Sequence, residues 1–153
     1  MTTKILALRV ARRALGAAVI GDEGFTLLDG RHLSSRRETM TESVRRYLGE
    51  LMLQQEPSGV LILAPDEKYD DKGILKDVQT ALAQGGHPMR IVRLPELLKA
   101  FGTPPLETRE QLWETAQGIL PELQDFRNSV KPYVVEAAAL ALYAESMLTL
   151  LTP

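Results

Sequence analysis

Arginine and carboxylate side chains carry the chemistry this sequence has to offer, and they are segregated along it. Arg9, Arg12 and Arg13 fall within five residues, and no Asp or Glu lies between Met1 and Ile20. The acids gather later: Asp66, Glu67, Asp70 and Asp71 follow an apolar run, and Glu136 interrupts a long apolar segment. Clustered carboxylate oxygens are what hard divalent cations need. The plainer reading makes "PDEKYDDKG" a solvated loop and Glu136 a surface or helix-start charge. Guanidinium groups without a metal suit phosphates instead.

Other chemistries are excluded or unsupported. There is no cysteine, so disulfides, thiolate nucleophiles and cysteine-held metals are ruled out. His32 and His87 make no ligand-spaced pair, and no phosphate-binding glycine loop, dinucleotide fingerprint or Ser-His-Asp constellation is present. The net charge of −2 hides an asymmetry: residues 1–50 carry nine Lys/Arg against six Asp/Glu. That weak basic excess is compatible with nucleic acid. Arg9, Arg12 and Arg13 interrupt any leader-like run. Glu136 and Glu145 make Val134 to Leu151 a buried helix rather than a membrane span. A cytoplasmic protein with no membrane association is expected.

The elements that must position these residues follow from periodicity. Lys4 to Val10 reads as a strand buried on both faces. Gly16 to Ile20 and Phe25 to Leu28 continue it as an antiparallel meander, turning at Asp22 to Gly24. Met40, Val44, Tyr47, Leu48 and Leu51 have helical spacing, with Thr39 or Thr41 as its cap. Val60 to Leu63 is a strand, Ile74 to Leu82 a helix ended by Gly85 and Gly86, and Met89 to Leu94 a strand. Pro95 to Phe101, Glu107 to Leu120 and Tyr133 to Leu151 read as helices, with Asp125 to Pro132 a long loop. His87, between Gly86 and Pro88, is a loop residue. Arg36, Arg37, Arg45 and Arg46 read as a solvated face, and Trp113 as either an interface or a base-stacking residue. No repeat or linker divides the chain, so a single domain over residues 1–153 is expected.

Several segments in this order resemble the RuvC-type Holliday-junction resolvases and the related YqgF-type nucleases. "ILALRVARRALGAAVI" (Ile5 to Ile20) is similar to their opening: an apolar strand ending in an Asp, a polar turn, a Gly and a return strand. Gly16 falls on the family's glycine, which would let the return strand approach its neighbour closely. "PSGVLIL" (Pro57 to Leu63) is similar to the fourth strand. "RLPELLKAFG" (Arg93 to Gly102) and "ETREQLWETAQGIL" (Glu107 to Leu120) resemble the basic loop and following helix, and "VVEAAALALYA" (Val134 to Ala144) the last helix. Together they cover nearly the whole chain.

The resemblance implies an α/β, ribonuclease-H-like mixed five-stranded sheet (β-β-β-α-β-α-β-α) with helices on both faces. It also implies cleavage with two divalent ions, Mg or Mn, held by carboxylates from the first strand, the fourth strand and the last helix. Matched position by position, those places hold Arg9, Leu63, Val135 and Ala138. A guanidinium at a metal position repels the ion. The expectation is therefore a non-catalytic pseudo-nuclease with no cofactor, acting in DNA recombination or repair. Its partner would be structured DNA or RNA, or a protein, and like the family it would be a homodimer. Arg9, Arg12, Arg13, Lys99 and Arg109 would form the nucleic-acid cleft; the plainer reading has these cations solvated or paired with acids such as Glu136. Two alternatives stand beside it: an active endonuclease using Asp66 and Glu136 as a shifted metal site, and a protein-interaction scaffold without nucleic acid.

Overall fold

A computed structural model describes residues 3–33, 36–65, 73–102, 104–120, 123 and 131–151. In chain order they form β1 (Ile5–Ala11), β2 (Ala14–Gly21), β3 (Gly24–His32), α1 (Arg37–Gln55), β4 (Gly59–Leu63), α2 (Ile74–Gln84), β5 (Met89–Val92), α3 (Leu94–Ala100), α4 (Arg109–Ile119) and α5 (Pro132–Leu151). This is the expected order. The five strands make one sheet, β3-β2-β1-β4-β5, antiparallel from β3 to β1 and parallel from β1 to β5. Strands that return in the same direction need a crossover, which α1 and α2 supply.

Strand alternation divides the core into two layers. Leu6, Leu8 and Val10 of β1, with Leu15, Ala17 and Val19 of β2, pack under α1 and α2. Ala7 of β1, with Ala18 and Ile20 of β2, packs under α3, α4 and α5. On this second face the strands carry small residues because α5, rich in alanine, lies close against them. Among the described residues no helix is long and apolar enough to cross a membrane.

Three local expectations change. Thr39 and Thr41 do not cap α1: its N-cap is Arg36, with no side-chain cap bond. The fifth strand stops at Val92, because Pro95 near the start of α3 fixes a helical first turn that takes in Leu94. Of the expected loop from Asp125, residues 125–130 lie outside the described residues, and Pro132 already opens α5.

Tyr47 fastens α1 to the edge strand. Its ring is buried, its hydroxyl donates to Asp29 Oδ2 of β3 at 2.7 Å, and the Arg31 guanidinium stands 4.7 Å above the ring. Burial first, and the bond to Asp29 second, push the phenol pKa well above its ordinary value of 10.0. A pKa raised on folding contributes stability below the unfolded value that is lost as pH climbs past it. Tyr47→Phe should cost about 1 kcal/mol at neutral pH. The gap to the unaltered protein should narrow above pH 10.0, which denaturant melts across that range would read. A gap constant with pH would refute the assignment.

Candidate functional site

The residues that face α5 lie in a row across the sheet. Arg9 of β1 pairs with Gly16 of β2, which pairs with Gly30 of β3. A Cβ on Gly16 would lie 2.2 Å from the Tyr133 carbonyl oxygen, and one on Gly30 would lie 2.8 Å from Tyr133 Cε2. The start of α5 therefore rests on bare strand backbone. Gly16 admits the last helix, whereas the sequence alone pointed to close approach of a neighbouring strand. About one turn further along α5, Glu136 comes over Arg9.

Residues 134–141 are all buried, and Glu136 is the sole polar side chain among them. A charge placed there needs a partner. Arg9 provides it: both residues are 3% exposed, and Arg9 Nε lies 3.2 Å from Glu136 Oε1. The same guanidinium donates through Nη1 to the carbonyl oxygens of Ala64 at 2.9 Å and Leu63 at 3.5 Å, just where β4 ends. Arg109, the first residue of α4, brings its Nε to 3.6 Å from Glu136 Oε1 with 35% of its side chain still exposed. A capping box between Thr108 and Gln111 fixes that helix start, so Arg109 is held from both ends. Among the described residues the cluster thus holds two guanidinium groups around one carboxylate.

The structure rearranges the expected site. Glu136 is neither a surface charge nor a bare helix-start acid; it is buried between two arginines. Val135 and Ala138, the positions matched to the family's last-helix acids, are core residues packed in the same layer as Leu63. The α5 residue that meets the end of β1 is Glu136. Arg9 is sealed in and is not placed to meet a nucleic-acid phosphate. Arg12 and Arg13 are exposed at the two-residue tip between β1 and β2, roughly 10 Å along the chain from Arg9. Arg13 has φ 59°, a left-handed backbone that glycine adopts at lower cost. Lys99 is exposed but stands apart. Its helix meets α5 where Tyr143 donates to Glu96 at 2.7 Å, seven residues, or roughly 10 Å, beyond Glu136. Asp66 lies outside the described residues. Trp113, one turn after Arg109, is partly buried against the α5-side core, and its indole N–H is buried without a hydrogen-bond partner. His32 sits edge-on to Tyr133, with ring centres 6.0 Å apart.

The donor set of the described residues does not fit a divalent ion. Among them one carboxylate and two carbonyl oxygens approach the Arg9 guanidinium, whose nitrogens already stand between them. A magnesium or calcium ion needs six or more oxygens. Among the described residues no three of His, Cys, Asp and Glu are grouped so as to hold a metal.

No protein-family model and no curated protein matches the sequence. Solved structures do. A Thermus thermophilus RuvC structure superposes with a TM-score of 0.72 at 16% identity, covering 92% of this chain and 92% of that one. The T. thermophilus RuvC in complex with a Holliday junction substrate gives 0.70 at 16% identity, covering 92% and 90%. The yeast mitochondrial Holliday junction resolvase gives 0.69 at 8% identity, covering 91% and 77%. The chain has the ribonuclease-H-like fold of these resolvases, as its sequence order implied.

Proposed function

We propose that residues 1–153 form one non-catalytic, resolvase-fold module that binds structured, branched nucleic acid in the cytoplasm, in recombination or repair. The observation that carries this reading is the buried Arg9–Glu136 pair at the ends of β1 and β4. Among the described residues it leaves this end of the sheet with cations and no carboxylate set for hydrolysis. The phosphate contacts fall to Arg109, half-exposed and positioned by Glu136, and to Arg12 and Arg13 at the hairpin tip. An arginine kept in the left-handed conformation at an exposed tip supports a binding role for that tip. Similar structures solved with Holliday junction DNA support the branched class of ligand.

A second reading, the protein-interaction scaffold, including pairing with a second copy, is favoured by Leu53, an apolar side chain of α1 that is 80% exposed.

One experiment separates them. The protein should bind a four-way junction at low salt and cleave none in Mg²⁺ or Mn²⁺. Affinity should fall steeply with salt. Arg109→Ala or Arg12→Ala/Arg13→Ala should each lower the salt slope by about 1 for every phosphate that is no longer neutralised. Junction cleavage by pure protein would refute the non-catalytic reading. No binding at low salt would leave the scaffold.

A further inference from the structure

Three buried oxygen atoms surround the Arg9 guanidinium where β1, β4 and α5 meet: the carbonyls of Leu63 and Ala64 at Nη1, and Glu136 Oε1 at Nε. All three are acceptors. Oxygens gathered in a buried place, one of them fully charged, need a cation among them. In many proteins a bound metal ion meets that need. Here the chain supplies it from its own first strand.

We infer that Arg9 is the resident cation of this junction, a covalently tethered substitute for a metal ion, and that its presence makes the site refuse divalent cations. Its geometry fits the role. Nε faces the carboxylate at 3.2 Å while Nη1 reaches the Ala64 carbonyl at 2.9 Å, so one planar group spans both the helix side and the strand-end side. An ammonium on a flexible stem could not address both directions with fixed geometry, whereas the guanidinium fork does. Arg9 has no solvent-facing surface to offer a ligand. Its work is internal: it balances Glu136 and ties α5 to the ends of the parallel strands. The inference holds whether or not the protein binds nucleic acid.

The consequence is that removing the Arg9 guanidinium leaves the two strand-end carbonyls without their donor and Glu136 with only the more distant, partly exposed Arg109. Arg9→Asp adds a further carboxylate at the same place. In chelator this variant should melt well below the unaltered protein. Manganese should then restore it saturably, raising the midpoint by about 5–10 °C at a hundredfold excess over its dissociation constant. Adding Glu136→Gln to Arg9→Asp should abolish that rise, because the site loses its second carboxylate. The unaltered protein should show no Glu136-dependent response to Mn²⁺. Should Arg9→Asp fail to fold in chelator, Arg9→Gln tests the same point. It keeps one donor but no charge, and should melt below Arg9→Lys, which keeps the charge and should be blind to Mn²⁺. The inference is overturned if the unaltered protein binds Mn²⁺ through Glu136, if Arg9→Asp is as stable as the unaltered protein in chelator, or if neither Arg9→Asp nor Arg9→Gln differs from Arg9→Lys.

Discussion

Glu136→Gln is expected to lower folding stability by about 3–5 kcal/mol, the cost of removing one partner of a buried ion pair. The size follows from burial. An exposed ion pair contributes less than about 1 kcal/mol, because water solvates each partner once the other is gone. Arg9 and Glu136 have no such recourse, each being 3% exposed in a layer of alanine, leucine and valine. Arg9→Met should also destabilise, but less, because Glu136 keeps Arg109 at 3.6 Å. The double variant Arg9→Met/Glu136→Met should recover most of the loss, since removing both charges also removes the cost of desolvating them. Arg109, with 35% of its side chain exposed, should contribute far less to stability than Arg9. Denaturant melts of the four proteins would give the coupling directly. A loss under about 1 kcal/mol for either single variant would mean that water reaches the pair. The coupling should also persist at high salt, since buried pairs are little screened.

What the sequence disclosed about this site and what it withheld have separate causes. Strand and helix periods are local, so β1, with apolar residues on both sides of its alternation, was legible as a central strand. Lone charges in buried runs must find partners, so Glu136 was already a candidate partner for the arginines. The pairing was hidden by rotation. In an alanine-rich helix each residue turns the face by about 100°, so a match that is one position off exchanges a core residue for a site residue. Val135 and Ala138 fell on the core, and Glu136 on the sheet's end, because the docking of α5 decides which face looks where. The role of Gly16 was hidden by distance along the chain. Its contact is Tyr133, more than a hundred positions away, and no local pattern reports that. Lys99 was misplaced for a similar reason: a basic residue near the right motif is exposed on α3, whose tie to α5 lies beyond the cluster.

Gly16→Ala tests the docking that brings Glu136 to Arg9. The added methyl would stand 2.2 Å from the Tyr133 carbonyl oxygen and 2.6 Å from its carbonyl carbon. Both are backbone atoms, so no rotamer change relieves the clash; the start of α5 must lift or β2 must sink. Overpacking of this kind costs about 1–3 kcal/mol, and more where backbone must move, so a loss of about 3 kcal/mol is expected. Gly30→Ala meets only side-chain atoms of Tyr133 and Val134 at 2.8 Å, which can turn aside, and should cost less. The informative quantity is coupling. Lifting α5 at Tyr133 raises Glu136, three residues on, away from the Arg9 guanidinium and lets water in. Glu136→Gln should then cost clearly less in the Gly16→Ala background than alone, a non-additivity of about 1 kcal/mol or more. Strict additivity would show that the helix start and the ion pair are held independently, and that the glycine row is not what sets the charged cluster in place.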